Sequence, residues 1–101
     1  MPFVVKKEAY GVSLDSDVVV EVERPLSPHV VVLEISVKTT SETTVIVESS
    51  ADGEHYFTAD KAENVTEYHA GFLCTRPRVR LTVKAKSGAS CDYLITGAAL
   101  S

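Results

Sequence analysis

Three histidines are the side chains of this sequence that a metal site would use first. His29, His55 and His69 stand in the stretches SPHVV, GEHYF and EYHAG. None of these stretches has the HxH or HExxH spacing by which two nearby histidines bind zinc. The sequence therefore predicts no metal and no cofactor. A small metal-dependent enzyme is the alternative if the three histidines converge in the fold.

The two cysteines, Cys74 and Cys91, are too few for a disulfide scaffold and form no CxxC motif. We expect two small buried thiols in a reducing compartment, with a single bridge as the alternative if the protein works outside the cell. Neither cysteine lies in a nucleophile motif, no GxSxG turn occurs, and the isolated glycines form no phosphate-binding loop. The sequence thus predicts a protein that is not an enzyme.

A basic strip, RPRVRLTVKAK, spans residues 76–86 and holds five of the ten Lys and Arg residues of the chain. If the strip forms a strand, its cations lie on the face opposite Val79, Leu81, Val83 and Ala85, because successive side chains of a strand point to opposite sides. The apolar residues are then expected in the core.

Three interpretations of this basic face are open. It is the solvated side of an antiparallel strand, or it docks on an acidic strand that belongs to the chain or to a neighbouring subunit, or it binds phosphate. Phosphate binding would need aromatic side chains between the cations, and the strip has none. Docking on an acidic strand predicts an interface formed by Arg78, Arg80, Lys84, Lys86, Glu21 and Glu23.

Three aromatic residues, Tyr56, Phe57 and Tyr68, are the candidate ligand-binding residues. They lie in the stretches ADGEHYF and ENVTEYH, which combine polar and aromatic residues. Exposed aromatic rings of this kind would bind a sugar. Core packing is the alternative role, because aromatic side chains dominate protein cores.

The whole chain has 101 residues, a formal net charge of −4, 45% hydrophobic residues and 24% charged residues. This length predicts a single domain over residues 1–101, and the negative charge argues against nucleic-acid binding. No apolar run approaches the roughly 20 residues that span a bilayer, so we expect no membrane insertion. The start, MPFVVKKEAY, has no signal-peptide pattern. We therefore expect a protein that is cytoplasmic as made or part of a virion, or a chain whose leader has been removed.

β-Branched residues dominate the sequence, with sixteen valines, and apolar and polar residues alternate along most of it. Such alternation is typical of strands with one buried face. Turns are expected at TSE (40–42), at the Asp-Gly pair 52–53 and at SGAS (87–90). Strands are predicted over residues 3–14, 16–25, 29–40, 43–50, 55–60, 65–72, 78–86 and 91–100.

This pattern predicts an all-β fold, namely a single antiparallel β-sandwich, jelly-roll-like, of about eight short strands. The basic strand is expected to form a hairpin with the last strand, with Ala85 opposite Cys91. Residues 59–64, ADKAEN, could instead form one helical turn. The runs VVV at 18–20 and 30–32 are apolar on both faces, so another subunit is a candidate to cover the second face.

Part of the sequence resembles discoidin-like (galactose-binding-like) β-sandwich modules, including those of phage structural proteins. The shared layout is a strand that ends in a Ser-x-Asp-Gly turn with an aromatic pair, followed by a later Val-Arg-Leu-x-Val strand. The matching residues, within 43–86, are Ser50, Asp52, Gly53, Tyr56, Phe57, Val79, Arg80, Leu81 and Val83. The resemblance implies a sandwich used for adhesion, sugar binding or assembly, and no specific binding residue.

Two functions are predicted from these features. The first is a non-enzymatic structural or interaction module that forms homo-oligomers, such as a building block of a virion, an appendage or a surface. Strands that are apolar on both faces and the separation of acidic from basic strands favour it, because symmetric closure would bring such strands together. The alternative is a carbohydrate-binding module whose partner is a glycan.

Overall fold

The computed structural model of the protein describes residues 3–23, 30–74 and 77–100, and among them the side chains of residues 6–23, 32–73 and 77–98. Those residues contain no helix, and every strand pairing is antiparallel. The predicted all-β antiparallel fold is confirmed. The strands are β1 (Phe3–Ser13), β2 (Val18–Glu23), β3 (Val30–Ser50), β4 (Phe57–Cys74), β5 (Arg78–Val83) and β6 (Ser90–Leu100).

One long hairpin, β3 with β4, organises the sheet. On the other edge of β3, the first half of the strand pairs with β6 and the second half pairs with β5. Strand β1 lies beyond β6 and β2 lies beyond β5, so the order is β1-β6-β3-β5-β2, with β4 along β3. We call β1, β6 and residues 30–39 of β3 the β6 half of the sheet. We call β2, β5 and residues 45–50 of β3 the β5 half.

The strand β3 bends between its two halves instead of turning back at TSE. Register shifts occur between Lys38 and Thr43. The Thr39 hydroxyl donates to the Ser41 carbonyl at 2.8 Å, and the Thr43 hydroxyl donates to the Lys84 carbonyl at 2.7 Å. The predicted turn at 40–42 is therefore wrong, because the backbone stays extended in one strand over Val30–Ser50, with side-chain hydroxyls bonded to carbonyls of the same strand and of Lys84.

The strand β4 is continuous in the same way. The predicted strand 65–72 and residues 57–60 of the predicted strand 55–60 are parts of β4, and ADKAEN forms no helical turn. A positive φ of 56° at Asn64 marks the irregularity at which the register changes. Six strands in one continuous sheet thus replace the predicted eight, and the two-sheet sandwich is not confirmed.

The sheet curls so that both halves share one apolar core. The prediction that Val79, Leu81 and Val83 face inward is confirmed, since all three are buried. The buried hydrophobic residues form one cluster: Leu14, Val20, Val22, Leu33, Ile35, Val37, Val45, Val47, Tyr68, Val79, Leu81, Val83, Ala89, Cys91 and Ile95. No helix that could cross a membrane occurs in the described residues.

The predicted hairpin of the basic strand with the last strand is wrong. Strand β5 pairs with β2 and β3, whereas β6 pairs with β1 and β3. The chain between them crosses from one half of the sheet to the other, and Lys86 N donates to the Leu14 carbonyl at 2.8 Å while Leu14 N donates to the Ala89 carbonyl at 2.9 Å. Ala85, predicted to face inward, is therefore exposed.

Candidate interaction surfaces

The acidic strand β2 is the direct neighbour of the basic strand β5 within one chain. Glu21 lies opposite Arg80 and Glu23 lies opposite Arg78. The acidic strand that the basic face was predicted to meet is thus β2 itself. Opposite charges at directly opposite positions of two strands favour this register.

Arg80 is the centre of a polar network on the outer face of the β5 half. Its Nε donates to Glu48 Oε1 at 3.2 Å, and its Nη2 lies 3.2 Å from the same oxygen. Its guanidinium carbon stands 3.9 Å from the ring centroid of Tyr56, and the Tyr56 hydroxyl donates to Glu21 Oε1 at 3.0 Å. Desolvation, followed by this hydrogen bond, raises the pKa of Tyr56, which keeps the hydroxyl a donor.

The other cations of the basic face have different surroundings. Lys84 Nζ lies 3.4 Å from Asp17 Oδ2, and Lys86 is exposed. The side chain of Arg78 covers Gly53, where an added Cβ would stand 3.0 Å from its Nε. Arg76, at the start of the strip, lies outside the described residues. The predicted six-residue interface therefore stays a prediction, although two of its cations, Arg80 and Lys84, already contact carboxylates of the same chain.

The Asp-Gly turn between β3 and β4 forms as predicted. Gly53 has a φ of 82°, a conformation that L side chains rarely adopt. Asp52 Oδ1 accepts from the backbone N–H of Glu54 and of His55, each at 2.8 Å, and Oδ2 lies 2.6 Å from His55 Nδ1. These hydrogen bonds, first among them the one from His55 N, hold the pKa of Asp52 well below its usual range.

The low pKa of Asp52 predicts a specific pH dependence. A depressed folded-state pKa contributes stability above the unfolded pKa of about 3.9 and loses it as pH falls through the folded value. We expect Asp52→Asn to lower the thermal midpoint most above about pH 5, with the difference from the unsubstituted protein shrinking toward about pH 2. Thermal unfolding from pH 2 to 7 measures this, and a pH-independent difference would contradict it. Asp17 also has a lowered pKa, chiefly through the hydrogen bond from Ala85 N, so some acid sensitivity persists.

Tyr68 is a core residue and not an exposed ring. It is buried in the apolar cluster, and its hydroxyl donates to Asp60 Oδ2 at 2.7 Å. Burial, followed by the bond to Asp60, raises the pKa of Tyr68. Of the three aromatic residues predicted to bind a ligand, only Phe57 is mostly exposed, while Tyr56 is half-buried.

The Tyr68 hydroxyl is expected to contribute to stability. Tyr68→Phe removes the donor to Asp60, and a hydrogen bond to a charged group is worth more than a neutral one, so we expect a loss of about 1–2 kcal/mol in the free energy of unfolding. Urea denaturation measures it. Tyr10→Phe is the matched control, because the Tyr10 hydroxyl also donates to a carboxylate, Glu8, but is exposed. Equal effects of the two substitutions would contradict the buried role.

A depression of ≈ 440 Å³ on the sheet surface brings His69 and Tyr68 together with residues that the sequence analysis did not single out, among them Ser36 and Lys38. Ser36 Oγ lies 2.8 Å from His69 Nδ1, and Lys38 Nζ lies 3.7 Å from Glu67 Oε1. Both pairs join β3 to β4 across the ladder. No sequence motif could have found them, since β3 and β4 residues meet only through the register of the hairpin.

A serine hydroxyl beside a histidine ring nitrogen is also the arrangement of an activated nucleophile. The Ser36–His69 pair has these two side chains but not the further groups that such a site needs. At Ser36 the strand β3 pairs with His69 on one side and with Leu94 on the other. The backbone there serves two ladders, so no main-chain N–H next to Ser36 is spare to stabilise an oxyanion. The contact joins two residues that lie opposite each other in the β3–β4 ladder.

The alternative of a metal site rests on three histidines, of which the structure describes two. His55 lies in the turn and His69 in β4, while His29 is outside the described residues. In the described part of the chain no group of three or more His, Cys, Asp or Glu side chains could hold a metal ion. Cys91 is a free buried thiol whose pKa is raised by burial, then by Asp92. The side chain of Cys74 is not among those described.

Three of the described strands pair along only one edge. Among the described strands, β1 pairs only with β6, β2 only with β5 and β4 only with β3. These edge strands carry the exposed large hydrophobic residues of the described chain, and the inner strands β3, β5 and β6 carry none. The exposed fractions are 66% for Tyr10 on β1, 54% for Val19 on β2, and 62% and 69% for Phe57 and Leu73 on β4.

The sequence was also compared with known proteins. No protein-family model matches it, and no curated protein matches it significantly. These results do not bear on the resemblance to discoidin-like modules, which stays a prediction.

Proposed function

We propose that the protein is a non-enzymatic structural module that assembles with further copies of itself. The observation that carries this proposal is the open edge of β4, which spans 18 residues and belongs to a strand that pairs only with β3 among the described strands. An unpaired edge presents a row of N–H and C=O groups that another strand can bind. The exposed apolar side chains of the edge strands add surface that such contacts would remove from water.

The assembly that we propose uses strand edges and not the basic face. Arg80 and Lys84 already contact carboxylates inside the chain, so they are poorly placed to attract a second subunit. The predicted jelly-roll-like sandwich, which the six described strands do not form by themselves, would then need strands from another copy. A virion, an appendage or a cell surface remains the proposed setting.

Sedimentation velocity over about 1–100 μM protein tests the proposal, since mass action makes any self-association depend on concentration. We expect the mean sedimentation coefficient to rise with concentration. A constant monomer value over the whole range would contradict self-assembly. The same series in about 1 M salt separates the proposed edge contacts from charge pairing, because salt of this strength screens exposed charges.

Carbohydrate binding is a second proposal, limited to one end of the sheet. Phe57 is 62% exposed, and it follows Tyr56, whose ring covers Arg80. An exposed ring beside a polar network is the kind of surface on which a sugar ring packs. A glycan array tests it: we expect a signal that Phe57→Ala abolishes, and no signal with the unsubstituted protein would remove the proposal.

A further inference from the structure

The C-terminal end of the β4 edge differs from the middle of the strand in having no charged side chains. The middle of the strand carries Asp60, Lys61, Glu63 and Glu67 and the irregularity at Asn64. Charges and bulges of this kind protect an edge against strand addition. Residues 69–73, HAGFL, carry no Asp, Glu, Lys or Arg. We call these five residues the edge segment.

Alternate residues of the edge segment direct their backbone N–H and C=O groups away from β3. The carbonyl oxygen of Leu33 stands 3.9 Å from the place of a Cβ on Gly71, so this carbonyl points at β4. Leu33 lies opposite Phe72 and Glu34 lies opposite Gly71. Opposite residues of an antiparallel ladder alternate between bonded and non-bonded pairs. The Leu33–Phe72 pair is thus bonded, and the N–H and C=O groups of His69, Gly71 and Leu73 point away from β3, to the edge along which no other described strand pairs.

We propose that two copies of this chain pair through their edge segments, antiparallel and about a twofold axis at Gly71. This inference rests on the proposed function and names its contact. Gly71 lies opposite Gly71 of the second copy, and each Leu73 lies opposite a His69. Such a contact is isologous, because the same patch serves both partners. It forms about six main-chain hydrogen bonds, two for each bonded pair.

The side chains of the edge segment favour this register. Phe72 and Ala70 lie on the inner face and pack against the core cluster, and the twofold axis sets each Phe72 opposite an Ala70 of the other copy. The inner apolar layer then continues across the contact. Leu73, 69% exposed on the outer face, packs beside an imidazole.

The neighbouring register is disfavoured by charge. An axis at Ala70 would place Leu73 opposite Glu67, which sets an apolar side chain against a carboxylate. Extending the contact into the middle of β4 would also meet the irregularity at Asn64. The complementarity of the edge segment to itself is the reason that the partner is a second copy of this chain.

Sedimentation equilibrium of single variants of the full chain tests the contact. Gly71→Pro removes an N–H that points to the open edge, and proline is tolerated at such edge positions. Leu73→Lys adds a gatekeeper charge at an exposed site. We expect each substitution to raise the dimer dissociation constant at least about tenfold. Tyr10→Lys, at a similarly exposed hydrophobic on the edge strand β1, is the matched control and is expected to leave dimerisation unchanged.

The outcomes separate this inference from the proposed function. Dimerisation that persists in Gly71→Pro and Leu73→Lys, or that is lost in Tyr10→Lys, overturns the edge-segment contact and leaves self-assembly standing through another surface. A monomer at every concentration of the unsubstituted protein overturns both. Circular dichroism and urea unfolding of each variant establish that the compared chains are folded, and Leu73→Lys decides alone if Gly71→Pro fails to fold.

Discussion

Ile35→Ala is expected to lower the free energy of unfolding by about 2–5 kcal/mol, the range found when a large aliphatic side chain is removed from a packed core. Ile35 is fully buried. It lies opposite Ile95 on β6 and opposite Ala70 on β4, in the row where the β6 half meets the long hairpin. The alanine variant leaves a cavity that these neighbours, held by two ladders, cannot close.

Urea denaturation of the monomer measures this loss. Ile35→Val is the graded control, expected to cost about 0.5–1.5 kcal/mol because it removes one methyl group. Val19→Ala, at an exposed position of β2, is expected to change stability by about 0.5 kcal/mol or less. If Ile35→Ala cost no more than Val19→Ala, Ile35 would not be a core residue. A domain of this size has a total stability of about 5–15 kcal/mol, so the alanine variant removes a large part of it.

Arg80→Met is expected to cost about 1.5–3 kcal/mol, the range for a hydrogen bond to a charged group. Methionine keeps the aliphatic packing of the stem but loses the bond to Glu48 and the contact with the Tyr56 ring. The Arg80 and Glu48 side chains are only 30% and 22% exposed, so water replaces the lost partner poorly. Glu48 is then left with little compensation for its charge.

A matched surface pair gives the control for Arg80→Met. Lys38 and Glu67 are 3.7 Å apart but 71% and 73% exposed. Lys38→Met is therefore expected to cost less than about 0.5 kcal/mol. The loss from Arg80→Met should be the same at low and high protein concentration, because its partners belong to the same chain. A loss that appears only where the protein self-associates would instead make Arg80 an intersubunit residue.

The two faces of the basic strip have different surroundings. Its apolar residues, Val79, Leu81 and Val83, are core residues. Of its cations, Arg80 is part of an internal network and Lys84 contacts Asp17. The face is partly solvated and partly paired with β2. It differs from the edge segment, which offers unpaired backbone groups instead of charge.

The amino-acid sequence alone was sufficient for those features that depend on neighbouring residues. Alternation in β2, β5 and the first part of β3 predicted which residues are buried, because adjacent side chains of a strand point to opposite faces. The Asp-Gly pair predicted the turn at Gly53, because positive φ is accessible to glycine. Both depend on conformational preferences that act over a few residues.

Only the tertiary structure decided which strand lies beside which. Several strands share one alternating pattern, so the pattern could not tell that β5 pairs with β2 or that residues 84–89 cross between the halves. It could not tell that residues 40–42 stay extended, since that depends on the bond from Thr43 to Lys84. The open edges, the Arg80 network and the Ser36–His69 pair all follow from pairing between distant segments. Such pairing is settled by burial of the whole sheet and its register, which no single stretch of sequence contains.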